Sequence, residues 1–221
     1  MSYTWRFDVV WDYRAVFLRG VLVTGELTGG ALVLGLALGL VLGMAKGSRL
    51  WILRVPATVY VEFFRSTPTL VQLVWIYYSM PILTGLQLSS TVSVIVGLGL
   101  NAAAYFAEIF RAGIASIDRG QMHAAQSIGM RYSQAMRRII LPQAIRRMVP
   151  PFMNEVANLI KLSTLASVLA VSELLHEAQN LITNTFRPLE VYTTLAIVFA
   201  IIIFPIIYLS RRLEIAWGAR S

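Results

Sequence analysis

The stretch Leu27-Thr-Gly-Gly-Ala-Leu-Val-Leu-Gly-Leu-Ala-Leu-Gly-Leu-Val-Leu-Gly-Met44 carries no charged residue. Two further uncharged runs follow, Ser66–Phe106 and Val191–Ser210. A membrane-crossing helix needs about 20 predominantly apolar residues, and these runs supply that length. Burying them as helices of a soluble core would take a much larger chain than 221 residues. Composition points the same way: 57% of residues are hydrophobic and 14% charged, where a soluble domain is about half apolar and a quarter charged. The chain therefore reads as an all-α integral membrane protein.

Working outward from these runs, five spans are expected, at roughly 20–45, 56–80, 89–112, 149–171 and 190–210, within one transmembrane domain covering 1–221. Lys and Arg set the orientation, because they collect on the cytoplasmic side. Thirteen fall on one side of this arrangement: Lys46, Arg49 and Arg54, the seven arginines from Arg111 to Arg147, and Arg211, Arg212 and Arg220. Arg6, Arg14, Arg19 and Arg187 fall on the other. The expected topology has the N-terminus outside, the C-terminus inside and the loop 114–147 in the cytoplasm. The net charge of +8 is then a topological signal, and no nucleic-acid partner is expected. Met1–Gly20 has no short apolar stretch ending at a small-residue cleavage site, so no removable signal peptide is expected. With no cysteine, and with His123 and His176 far apart, no thiolate or metal site is expected. In the first span Gly35, Gly39 and Gly43 recur every four residues, preceded by Gly25 and Gly29. Such a stripe lets a neighbouring backbone approach closely.

The 34 residues from 114 to 147 are long for a connection in a compact membrane protein, and long connections usually serve a partner. Asp118 can cap a short helix over 118–128, and Gly129 can stop it in a left-handed conformation. A second helix is expected over about 131–140, ending before Pro142. The pair would form a compact knob, in a loop 114–147 that carries six arginines against a single acid, Asp118.

Within this knob stand His123-Ala124-Ala125, then Gly129, Ile139 and Leu141-Pro142. That spacing resembles the EAA signature of permease subunits of bacterial ABC importers, with His123 where the family carries glutamate. The resemblance covers most of the chain. Tyr60-Val-Glu62-Phe-Phe-Arg65-Ser-Thr-Pro68-Thr-Leu-Val-Gln72 and Ala104-Tyr-Phe-Ala-Glu108-Ile-Phe-Arg111-Ala-Gly113 look like motifs of the polar-amino-acid branch. Ile160-Lys161-Leu-Ser163-Thr164-Leu is similar to its Lys-Asp-Thr-Ser-Leu region, with Leu162 in place of the aspartate. The resemblance implies a type I importer permease of the bacterial inner membrane. It implies docking of 118–142 into a separate ATPase through His123, Ala124, Ala125, Gly129, Ile139, Leu141 and Pro142. It also implies a second permease chain, identical or related, an extracytoplasmic substrate-binding protein, and a polar amino acid as substrate.

Charged and amide side chains at membrane depth need a partner or a water-filled path. Glu62, Arg65, Thr69 and Gln72 share one helical face of the second span, beside a break at Pro68. Asn101, Tyr105 and Glu108 form a stripe on the third, and Asn154, Asn158 and Lys161 one on the fourth. Three stripes suggest one translocation surface, with Ser66, Thr67, Thr69, Gln72, Asn101, Glu108, Asn158, Lys161, Ser163 and Thr164 as candidate lining. Glu62 and Arg65, one turn apart, are expected to pair, and Glu108 and Arg111 offer the same simple reading. The segment Glu173–Glu190 either meets a delivering protein or is a solvated loop.

No catalytic residue is expected. Gly43-Met-Ala-Lys46-Gly47-Ser48 has its lysine ahead of the glycine and is not a phosphate-binding loop. No cofactor is expected on this chain, with ATP and Mg used by the partner ATPase. An importer permease for an amino-acid derivative such as an opine remains open. So does an ATP-independent carrier or channel, which would leave the knob unexplained. A membrane enzyme finds no HExxH, no paired aspartates in a span and no cysteine nucleophile.

Overall fold

The computed structural model describes residues 3–217, so Arg220 lies outside them. A short helix α1 (Asp8–Asp12) leads into α2 (Arg14–Lys46), which is followed by α3 (Trp51–Ser66) and α4 (Thr69–Thr84). Next come α5 (Ser90–Ala115), α6 (Arg119–Ser127), α7 (Tyr132–Leu169), α8 (Leu174–Thr185) and α9 (Pro188–Trp217). The described residues contain no strand. α2, α5 and α9 are each long and apolar enough to cross a membrane, and α7 with α8 passes the same test as a pair bent by 51°. The expected second span is two helices, α3 and α4, divided at Thr67–Pro68.

The centre of the bundle is the seam between α2 and α5, and the glycine stripe makes it. A Cβ on Gly39 would stand 2.7 Å from the Cβ of Phe106 and 3.0 Å from the Ala103 carbonyl oxygen. One on Gly43 would stand 2.9 Å from the Ala107 carbonyl oxygen, and one on Gly35 would stand 2.9 Å from the Cβ of Ala102. Lipid is as apolar as the side chains it surrounds, so such close packing, not escape from water, holds helices together here. Gly25 and Gly29 do not belong to the seam: a Cβ there meets nothing within 4 Å. Leu27, Leu73, Leu98, Phe106 and Leu159, from α2, α4, α5 and α7, fill the core around it.

Two prolines are built into helices by the same device. Met80 donates its amide to the carbonyl of Trp75, and Leu141 to that of Met136, each five residues back. Pro81 and Pro142 follow immediately. A proline ring presses on the carbonyl four residues before it, and a wide π turn just upstream moves that carbonyl aside. Pro142 therefore does not end the second knob helix as the sequence predicts. The helix runs on, and knob and span share one continuous rod, α7.

The end of α7 tightens to a 3₁₀ helix over Ser163–Leu169, where Ser163, Thr164 and Ser167 each donate a hydroxyl to the carbonyl three residues back. Ala170, at φ 54°, turns the chain. α8 then tucks against α2: a Cβ on Gly20 would lie 2.8 Å from the Leu174 Cα, and the Leu174 amide donates to Thr24 Oγ1 at 3.3 Å.

Within segment 173–190, which folds as α8 and the start of α9, the two end glutamates are not solvated. Glu173 is fully buried and caps α8, accepting from the amides of Leu175 (2.8 Å) and His176 (2.9 Å). Glu190 is equally buried, accepting from the Tyr3 hydroxyl (2.5 Å) and the Arg6 amide (2.9 Å), so the N-terminal segment is strapped across the start of α9.

Candidate functional site

Local rules build the knob. Asp118 accepts from the Gly120 amide at 2.6 Å, satisfying one of the free donors that every helix start leaves. At the other end Gly129 adopts φ +84°, and the Met130 amide reaches back to the Ala125 carbonyl at 3.1 Å, closing α6 as a left-handed cap does. Gln134 Oε1 accepts from the Arg131 amide at 3.0 Å and starts α7. The buried Ala125 and Ala135 are the small residues of the two knob helices. Below them Ile117, Ile140, Ala144 and Met148 form a small core, with Met122, Met136 and Ile139 packed against it. Of the seven residues expected to couple, Ala125 and Ile139 face inward and Gly129 forms the turn; His123, Ala124, Leu141 and Pro142 are exposed. Ile128 and Tyr132 beside the turn are also exposed, giving the basic tip an apolar patch that spacing did not reveal.

The polar interior is arranged differently from its sequence stripes. At the Thr67–Pro68 break the end of α3 leaves carbonyls without helical partners, and no water is available in a bilayer core to satisfy them. Gln72 Nε2 donates to the Phe64 carbonyl at 2.9 Å and reaches Thr67 Oγ1 at 2.7 Å. Asn101 on α5 donates to Gln72 Oε1 at 3.0 Å and to the Phe64 carbonyl at 3.3 Å. Gln72 and Asn101 are buried, so in this conformation the two amides hold the break together and do not line an open route. Ser66 is exposed beside them, while Thr67 and Thr69 are half-buried.

Glu62 and Arg65 do not pair. Glu62 takes Lys46 at 3.1 Å, and Lys46, only 12% exposed, also holds Glu108 at 3.0 Å. Glu108 meets Arg111 as well, so that expected pair forms, with Lys46 as a third member. Lys46 sits one turn beyond Gly43, where the close seam delivers it to α5. In the sequence it stood out as a topological charge and in a rejected phosphate-loop match, not as a partner of Glu62 or Glu108.

Arg65, free of Glu62, lies over the ring of Tyr105, 5.5 Å from its centroid. The two form part of the wall of a cavity of about 360 Å³ between α3, α5 and α7, which continues past Glu108 and Gly113 to Ser116 and Arg147 at the base of the knob. Arg147 donates to the Ser116 carbonyl at 2.5 Å.

Part of the third stripe lies elsewhere. Lys161 and Thr164 border a separate apolar groove of about 480 Å³ against Phe199, Ile203 and Ile207 of α9. Asn158 donates to Glu155 at 3.4 Å, and Ser163 is fully buried. Lys161 and Thr164 thus face a different groove from Arg65 and Tyr105. Helical spacing fixes which residues share a face, not which neighbour that face meets.

Comparison with known proteins bears on this arrangement. The family model described as the binding-protein-dependent transport system inner membrane component matches residues 35–214. The probable amino-acid ABC transporter permease protein YckA of Bacillus subtilis is 38% identical over 182 residues, covering 82% of this chain and 80% of the relative. The glutamine transport system permease protein GlnP of Escherichia coli is 33% identical, covering 97% of both chains. The octopine transport system permease protein OccM of Rhizobium radiobacter is 35% identical, covering 96% of this chain and 90% of its own. A chain in the crystal structure of an amino acid ABC transporter with histidines superposes with a TM-score of 0.89 at 33% identity, covering 96% of this chain and 99% of that one. The methionine transporter MetNI, at 21% identity and a TM-score of 0.75, shares the fold.

Proposed function

The chain belongs to the family of binding-protein-dependent transport system inner membrane components, the permease subunits of ABC importers, and from that premise we propose that it carries a polar amino acid across the membrane. The supporting observation is the joining of two features: a self-capped basic knob around Gly129, and α7, which continues from that knob into the wall of the open cavity between α3, α5 and α7. On this reading the knob 118–142 is cytoplasmic, the N-terminus outside and the C-terminus inside, with α3 and α4 together counted as the second of five crossings. A separate ATPase grips the knob and uses ATP and Mg, while this chain holds no cofactor and catalyses nothing. Closure of two ATPases displaces two knobs, so a second permease chain, identical or related, is required. Each displacement is levered through α7 into the bundle and switches which end of the cavity is open. An extracytoplasmic binding protein delivers the substrate.

The reading is tested by reconstitution. Proteoliposomes holding this chain with its co-purifying ATPase, permease partner and binding protein are expected to accumulate an L-amino acid only with ATP. Vesicles holding this chain alone are expected to accumulate none; ATP-independent flux through it would overturn the proposal in favour of a carrier or channel. The octopine permease relative keeps a second substrate reading open, an amino-acid derivative of the opine kind. A ligand screen on the binding protein separates the two.

A further inference from the structure

The start of the chain carries a feature that transport does not use. Tyr3, Trp5, Phe7, Trp11 and Tyr13 are all exposed, five aromatic rings within eleven residues. The first three form a row: Trp5 stacks on Phe7 with ring centroids 5.5 Å apart, and Tyr3 meets Trp5 edge-on at 5.6 Å. An exposed apolar patch of this kind marks a surface that something covers.

The row is held at a defined depth. The Tyr3 hydroxyl and the Arg6 amide bind Glu190, and Arg187 donates to the Thr4 carbonyl at 3.2 Å. Glu190 stands where the last span is expected to begin, and Val10 packs on the cluster of Phe17, Leu174 and Val191. The segment therefore lies along the edge of the membrane-spanning bundle. Helical hydrogen bonding continues from α1 into α2, from the Tyr13 amide to the Val9 carbonyl (3.2 Å) and from the Val16 amide to the Tyr13 carbonyl (2.9 Å). Trp11, Leu18 and Leu22 then fall at i, i+7 and i+11, on one helical face. All three are exposed, Trp11 at 70% and Leu22 at 73%. Further along α2 an added Cβ on Gly25 or Gly29 meets nothing within 4 Å. The aromatic end thus runs on into an unpartnered apolar face of a helix long enough to cross a membrane, and lipid is what covers such a face.

Both chemistries of a phospholipid are matched here. Indole and phenol rings settle at headgroup level, with the apolar body toward the acyl chains and the polar edge toward water. Arg14 donates to the Trp11 carbonyl at 3.0 Å, and its guanidinium lies 5.3 Å from the centre of the Trp11 ring. It joins no ion pair among the described residues, whereas Arg6 is taken by Asp8 at 2.8 Å. A guanidinium held on a ring, with donors to spare, suits a phosphate group.

We propose that Trp5, Trp11 and Arg14 form a phospholipid-binding anchor at the end of the bundle where α2 begins, with the indoles at headgroup level and Arg14 on the lipid phosphate. The anchor is independent of which solute the chain carries.

The test uses the complete permease–ATPase complex in phosphatidylcholine vesicles. This chain has no cysteine, so Thr4→Cys places one fluorophore beside the aromatic row, and the complex without it gives the background of the partner subunits. Lipid brominated near the headgroup end of its chains is expected to quench the probe at Thr4 more than lipid brominated near the chain ends. A probe at Gln126→Cys on the exposed knob should be quenched by neither. Trp5→Ser with Trp11→Ser is expected to cut the quenching at Thr4 to about half or less; Trp5→Ser alone serves if the double variant does not assemble. Quenching at Thr4 no greater than at Gln126, or unchanged in these variants, would overturn the anchor. So would a probe at Thr4 that responds to the binding protein and not to brominated lipid, which would make the row a protein-docking surface. Arg14 has its own readout. Added phospholipid is expected to raise the Tm of the complex in maltoside detergent, and Arg14→Gln should need about tenfold more lipid for the same rise, the loss of one charge-assisted contact. Equal lipid dependence in Arg14→Gln, or the same rise from inorganic phosphate alone, would remove Arg14 from the assignment.

Discussion

The turn at Gly129 and the break at Pro68 both interrupt helices, and they are stabilised in opposite ways. At Gly129 the backbone does everything. The residue adopts φ +84°, neighbouring amides close the helix end, and a Cβ there would meet nothing within 4 Å. At Pro68 the backbone is ordinary, with φ −63°, and side chains carry the burden: Gln72 and Asn101 converge on the carbonyls that the break exposes. The surroundings account for the difference. The knob is exposed, so water can satisfy any group the cap misses. At the Pro68 break the bracing amides Gln72 and Asn101 are buried, and in a bilayer core a missing hydrogen bond has no replacement.

That contrast predicts a hierarchy of damage. Gln72→Leu should be the most severe, because it leaves the Phe64 carbonyl and the Asn101 amide short of partners. We expect a loss of about 3 kcal/mol, read as a lower denaturation midpoint in detergent. A midpoint within error of wild type would mean that the break needs no amide bracket. Gly39→Leu should cost about 2 kcal/mol by forcing α2 away from Phe106 and Ala103. Gly25→Leu, whose Cβ meets open space, serves as its control and should leave the same midpoint unchanged. Equal effects at the two glycines would break the assignment of the seam to the Gly35–Gly43 half of the stripe. Gly129→Val should cost about 1.5 kcal/mol through strain alone and uncouple ATP hydrolysis from uptake while the protein still inserts. Gly129→Asn, which tolerates the left-handed region, should recover most of the coupling. If valine and asparagine behaved alike in the coupling assay, backbone conformation would not be what the glycine supplies.

The knob was largely legible in advance because its determinants are neighbours in sequence. Asp118 lies two residues from the amide it accepts, and Gly129 lies at the turn it makes. Its one misreading, a helix end before Pro142, came from treating proline as a stop when a π turn upstream lets the helix pass. The interior was far less legible. Helical spacing paired Glu62 with Arg65, yet Lys46, sixteen residues earlier, takes the glutamate. Spacing also grouped Gln72 with a route through the membrane, when Asn101 and the carbonyls at the break occupy it. The buried Glu173 and Glu190 read as surface charge because their partners, backbone amides and the distant Tyr3, leave no periodic trace.

By itself the sequence determined that this chain lives in a membrane, where its helices lie, and that a capped basic knob stands between two of them. Uncharged length, charge asymmetry and capping residues all act within a turn or two of where they are written. Only the tertiary structure decided which glycines form the seam, which ion pairs close, and that Arg65 faces a cavity with Tyr105. In a bilayer every outer face is as apolar as the core, so hydropathy does not tell a lipid-facing side from a packed one. The choice falls to shape and to hydrogen-bond satisfaction between helices, and neither is visible until the helices meet.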